Sequence, residues 1–185
     1  PDIDSDRRVL GVIRPTAEAI PPLTASRHVG ILATEGTIRS NSYELEIAHQ
    51  AADIVITGQA CPLWAAIVEA NEADSEGADY FVRQRIKELL GRDPDIDTLV
   101  LACTHYPLLL NTIKKHVPSA IRIVSQGEYV AESLAQYLQR HPDMESRITR
   151  GGSCRYLTTE NPDRFTECAR IFLREPIVAE NVTLG

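Results

Sequence analysis

No apolar run in this 185-residue chain approaches the length of about 18 residues that a membrane-crossing helix requires. The opening stretch, PDIDSDRRVLGV, lacks the basic start and apolar middle of a secretory leader. It also lacks an initiator Met, which suggests a processed chain or a fragment. Neither G-x-x-x-x-G-K-[ST] nor G-x-G-x-x-G occurs, so the common phosphate-binding loops are missing. Lysine is scarce. Lys87, Lys114 and Lys115 are the only three, all in predicted helices among charged neighbours, so a Schiff-base cofactor has no evident anchor. The four cysteines form no C-x-x-C pair, which argues against a disulfide framework and for reduced thiols in a cytoplasm. A net charge of −7 argues against nucleic acid or an anionic membrane as partner.

What is present is a real core: 43% of residues are hydrophobic, enough for one sizeable domain or two small ones. Short continuous apolar runs at HVGILA, ADIVITGQA (stopping at Gly58), DTLVLAC and IRIVSQG read as buried strands. Helical stretches separate them. SNSYELEIAHQ has Ser40, Asn41 or Ser42 available as a cap. LWAAIVEANE follows Pro62, DYFVRQRIKELLG is amphipathic with Gly91 as a stop, and LLLNTIKKH closes at Pro118. EYVAESLAQYLQRH ends at Pro142. Alternating helices and strands buried on both faces predict an α/β fold, with an open parallel sheet covered by helices on both sides. After a polar linker, HPDMESRITRGGS, come a strand (CRYLTT), a helix with Asn161 as cap and Pro162 in its first turn, and a strand (PIVAENVTL), a βαβ-like tail. The expected division is 1–124 as a central domain and 125–185 as a tail segment belonging to a different sheet.

The stretch LACTHYPLL puts Cys103, Thr104 and His105 where a buried strand turns into a helix. Ligands of open parallel sheets bind outside the carboxyl ends of the strands. A thiol there, beside a helix start and an imidazole, is expected to ionise below its ordinary value of about 8.5. Cys103 reads equally well as a small core residue, and the histidine two positions on favours chemistry. Thr34, Gly36 and Thr37 close an earlier strand and offer hydroxyls and free N–H groups for a carboxylate. A cysteine phosphatase would need arginine six positions after the cysteine, where Leu109 stands. Zinc would need three or four ligands; Cys103 and His105 supply two, and Cys61 and His116 have no suitable spacing, so no metal is expected. Cys–His nucleophilic chemistry and cofactor-free proton transfer by the thiol remain.

Several motifs, in order, resemble those of the aspartate/glutamate racemase superfamily, and of its glutamate racemases in particular. LVLACTHYPLL resembles the second cysteine motif, VGILATEGTIRSNSY the threonine-rich loop and helix, QACPLWAAIVE the Ala-Cys-Pro segment, and YLTTENPDRFTECARIFL the C-terminal strand and helix. The resemblance implies cofactor-independent interconversion of L- and D-glutamate, supplying D-glutamate for peptidoglycan. Two cysteines on opposite faces of the substrate α-carbon would do this by acid–base exchange. By residue matching, Cys103 is the second cysteine, acting as base towards L-glutamate, and His105 assists it and contacts the substrate. Thr104, Thr34 and Thr37 hold the substrate. Glu69 lies near the position of a glutamate that the family has by its site, although on sequence alone it reads as an exposed helix residue. Cys61 is not a base in the family, and Cys154 and Cys168 match no functional position.

The family's first half, with its Cys-Asn-Thr motif, has no counterpart in these residues, and Asp4-Ser5 is followed by Asp-Arg-Arg rather than glycines. The chain therefore reads as the C-terminal portion of a racemase, its tail completing the first domain of the intact enzyme. Alone it is expected to be inactive. An apolar face left uncovered would offer a route to a homo-oligomer. Aspartate or hydantoin racemases, or a non-catalytic amino-acid-binding domain, are the alternatives.

Overall fold

The computed structural model describes residues 9–184; Asp4-Ser5 lies outside them. Four parallel strands form the main sheet: β1 (His28–Ala33), β2 (Val55–Ala60), β3 (Thr98–Leu101) and β4 (Arg122–Ser125), in the order β2-β1-β3-β4. The two central strands, β1 and β3, are the continuous apolar runs, and all of β3 is buried. The edge strands, each paired on one side only, are more exposed.

Helices cover both faces. Because side chains alternate along a strand, Leu32, Leu99 and Leu101 point to one face, and Ile31, Val100 and Val124 to the other. The first face carries α4 (Trp64–Glu69), α5 (Glu76–Arg92) and α6 (Leu110–Lys114), through Trp64, Val68, Val82, Ile86, Leu89 and Ile113. The second carries α1 (Ile13–Ala19), α3 (Ser42–Gln50) and α7 (Gln126–Arg140), through Ala17, Ile20, Tyr43, Ile47 and Tyr129. Gly30 on β1 allows the closest approach, since a methyl group there would lie 2.5 Å from Leu99 and 3.0 Å from Leu89.

The tail is a second, two-stranded parallel sheet: β5 (Tyr156–Thr158), α9 (Pro162–Leu173) and β6 (Ala179–Asn181). The Asn161 side chain caps α9, accepting from the N–H groups of Asp163 and Arg164. The expected open parallel sheet with a βαβ tail is therefore present, but the second sheet begins at β5 and not at residue 125: Ser125 pairs with Leu101 in the main sheet, and α7 buries Tyr129 against it. Five local expectations change. Gly91 does not stop α5, which continues to Arg92 and ends at Asp93 in extended conformation. The helix after Cys103 begins as a short 3₁₀ turn, Tyr106–Leu109, in which the Tyr106 N–H is already bonded to the Cys103 carbonyl. The polar linker contains a short helix, α8 (Pro142–Ser146), begun by the proline's fixed φ. Strand β2 runs past the expected stop at Gly58 to Ala60, and helix α1 is an element that the sequence pattern does not mark.

The amino ends of the strands are closed by carboxylates. Asp97 accepts from the N–H groups of Ala25 and Ser26, both at 2.7 Å, and from the Thr98 hydroxyl. Burial would raise its carboxyl, but donation from Ser26, Thr24, Thr98 and Ala25 outweighs burial and holds it well below the carboxylate range. Asp93 accepts from the Thr57 hydroxyl and the Asp95 N–H and pairs with the His28 ring at 3.0 Å.

Candidate active site

The strand order creates the site. From β1 the chain moves outward to β2, and from β3 outward to β4 on the other side. The switch falls between β1 and β3, and the crevice outside their carboxyl ends is where such sheets take ligands. Leu32 and Leu101 are partners in the register, and two residues beyond them stand Thr34 and Cys103. The threonine loop and the cysteine loop therefore leave the sheet side by side.

Thr34 caps the short helix α2 (Glu35–Arg39), and its hydroxyl pairs with that of Thr37 at 3.0 Å. Both threonines are half-buried. Cys103 is half-buried too, its sulfur 3.8 Å from Nδ1 of His105. The Thr104 hydroxyl shares that nitrogen at 3.4 Å. On the far side of the ring, Nε2 lies 2.9 Å from Oε1 of Glu69, at the end of α4. An ionised carboxylate only accepts, so this bond puts a proton on Nε2 and turns the Nδ1 lone pair of the neutral ring towards the thiol. Proton transfer from sulfur to Nδ1 then gives a thiolate–imidazolium–carboxylate line. The arrangement can thus generate a base at Cys103 without a metal or an organic cofactor.

Cys61 sits differently. It is buried, its thiol is directed at the Gln59 carbonyl, and burial pushes it well above the ordinary thiol value, which keeps it neutral. Behind Cys103, the Tyr106 hydroxyl donates to the Cys61 carbonyl at 2.9 Å and ties the loop after β3 to the loop after β2. Tyr43, which accepts from Gln126, has its phenol pushed up to about 12 by burial and by the nearby Cys103 sulfur.

The residues singled out from the sequence gather at one end of the sheet, but in two groups. Glu69, Thr104 and His105 line a cavity of about 640 Å³ together with Tyr156, Arg164 and Phe172 of the tail. Cys103, Thr34 and Thr37 are not part of its wall. Sequence reading gave no role to Phe172, whose ring meets that of His105 edge to face, with centroids 5.0 Å apart and planes at 88°. Among the described residues, His28, Asp93 and Asp95 form the one group spaced to hold a metal ion, at the opposite end of the strands from Cys103. No helix among the described residues is long and apolar enough to cross a membrane.

Fold and site together define a doubly wound α/β protein with a thiol, hydroxyls and an imidazole at its switch point. Residues 5–134 match the family of Asp/Glu/Hydantoin racemases, and the chain belongs to that family. The glutamate racemase of Roseobacter denitrificans is 36% identical over 186 residues, covering 95% of this chain and 66% of that protein. Among solved structures, glutamate racemase isoform RacE1 from Bacillus anthracis aligns with a TM-score of 0.81 at 32% identity, over 99% of this chain and 67% of that one. Glutamate racemase from Thermus thermophilus, solved with β-chloro-D-alanine, gives a TM-score of 0.78 at 26% identity, over 100% and 67%. The chain spans about two thirds of the length of these relatives.

Proposed function

We propose that this chain is the C-terminal portion of a cytoplasmic glutamate racemase, an amino-acid isomerase that supplies D-glutamate for peptidoglycan. The line from Cys103 through His105 to Glu69, set at the β1/β3 switch point, is the observation that carries this reading. Cys103, as thiolate, takes the α-proton from one face of the bound amino acid. His105 receives the thiol proton and, held by Glu69, keeps the base poised. Thr104, Thr34 and Thr37 hold the substrate with their hydroxyls and steady the carboxylate as negative charge develops at the α-carbon. The opposite face needs a second acid, which belongs to the part of the longer relatives that this chain does not span. In the whole enzyme the tail from β5 onward completes the first domain, while β4 and α7 stay with the central domain, Ser125 pairing with Leu101 and Tyr129 packing on the main sheet. The match to glutamate racemases over nearly the whole chain supports glutamate as substrate, ahead of the other substrates in the family's name.

Two measurements test this reading. Incubated with L-glutamate, the chain alone should leave the circular-dichroism signal of the amino acid intact, because one thiol reaches one face. Loss of the signal would refute the division of labour. With iodoacetamide near neutral pH, peptide mass analysis should show Cys103 modified faster than Cys61. Equal slow rates would remove Cys103 as the base.

A further inference from the structure

We infer that Phe172 is a positioning residue for His105, and that through it the docking of the tail helix governs the reactivity of Cys103. The inference rests on the reading of Cys103 and His105 as the reacting pair. Three atoms around the imidazole are polar: the Cys103 sulfur and the Thr104 hydroxyl share Nδ1, and the Glu69 carboxylate takes Nε2. A ring held at Nε2 by one half-exposed carboxylate still pivots about that bond. The thiol contact at 3.8 Å and the Thr104 contact at 3.4 Å compete for one nitrogen, and both are long enough to resist that swing only weakly. The perpendicular ring of Phe172 closes that swing, with its centroid 5.0 Å from that of the imidazole.

Phe172 is also where the tail meets the main core. The residues of α9 range from half-buried to exposed, and the helix packs chiefly on β5 and β6. Phe172 alone of this helix joins the apolar cluster on the α4–α5 face of the main sheet. Its side chain therefore converts the position of the tail into the orientation of the imidazole. When α9 is seated, Nδ1 faces the sulfur; when it is withdrawn, the ring turns and the thiol loses its proton acceptor.

The test uses the full chain and follows the pH dependence of Cys103 alkylation by iodoacetamide, resolved by peptide mass from the other three cysteines. Phe172→Ala should lower the Cys103 rate near neutral pH about three- to tenfold, the span an aromatic pair contributes. It should also move the midpoint of the profile in the same direction as His105→Asn. Phe172→Tyr should restore the wild-type profile. A ring that merely filled space would change the melting temperature and leave the midpoint in place. If Phe172→Ala lowers the melting temperature, Phe172→Leu is measured instead, and a rate reduced by less than about twofold overturns the inference. A Phe172→Ala profile superimposed on wild type, with His105→Asn displaced, overturns the inference and leaves the reacting pair standing. If His105→Asn superimposes as well, the reacting pair falls and the inference falls with it.

Discussion

The same four strands end in two different ways. At their amino ends the polar groups are satisfied by short bonds within the chain. Asp97 takes two N–H groups at 2.7 Å, Asp93 takes a hydroxyl, an N–H and an imidazole, and Arg27 grips Asp53 with two bonds of 2.7 Å. At the carboxyl ends His105 and Tyr106 make bonds of 2.9 Å to Glu69 and to the Cys61 carbonyl, but the groups around Cys103 and Thr34 are shared between small partners. Two threonine hydroxyls face each other at 3.0 Å, a thiol stands 3.8 Å from an imidazole, and a threonine competes for the same nitrogen. Groups that are already saturated contribute stability and have little left to offer a ligand. Groups with spare hydrogen-bonding capacity are the ones a substrate can engage. The comparison therefore separates the end that holds the sheet together from the end that works.

This contrast breaks if a change at the amino end disturbs reactivity, or one at the carboxyl end disturbs the fold. The largest effect is expected from Asp97→Ala, which should cost about 2 kcal/mol, roughly thirtyfold in the folding equilibrium, by releasing two backbone donors. Denaturant titration would measure it, and the Cys103 alkylation rate should not change. The acid dependence sharpens the point. Since folding lowers the Asp97 carboxyl, its contribution is complete above the unfolded value of about 3.9 and declines as pH falls through and below that value. The stability gap between wild type and Asp97→Ala should be constant above about pH 5 and narrow in stronger acid. Next comes His105→Asn, which should slow Cys103 alkylation about tenfold near pH 7 while thermal unfolding stays within a degree or two of wild type. The smallest effect is expected from Thr34→Ala. Loss of the cap on the short α2 should cost about 1 kcal/mol or less, seen as a slight drop in melting temperature. A cost above that of Asp97→Ala would erase the distinction between the two ends.

The amino-acid pattern carried the central sheet well and its surroundings less well. β1 and β3 were legible because both faces of each strand are buried, which leaves an unbroken apolar run. Cys103 and His105 were legible because they follow such a run at a fixed offset. The order β2-β1-β3-β4 was not written in any local pattern, and with it went the reason why the Thr34 and Cys103 loops are neighbours. Gly91 misled because glycine often ends a helix, whereas here the backbone leaves α5 through Asp93, whose side chain already has three partners. Helix α1 buries only Thr16 and Ala17 along its length, too little apolar surface to set up a visible period. Phe172 sits on a helix whose own periodicity explains it as an amphipathic face, so nothing nearby in the chain betrays its contact with His105.

The bond from Tyr106 ends on the carbonyl of Cys61 and not on its sulfur. A tether addressed to the main chain is indifferent to which side chain that residue carries. Alanine at position 61 would leave the two loops stitched together, so the sulfur buried behind residue 103 is dispensable to the tether that steadies its loop.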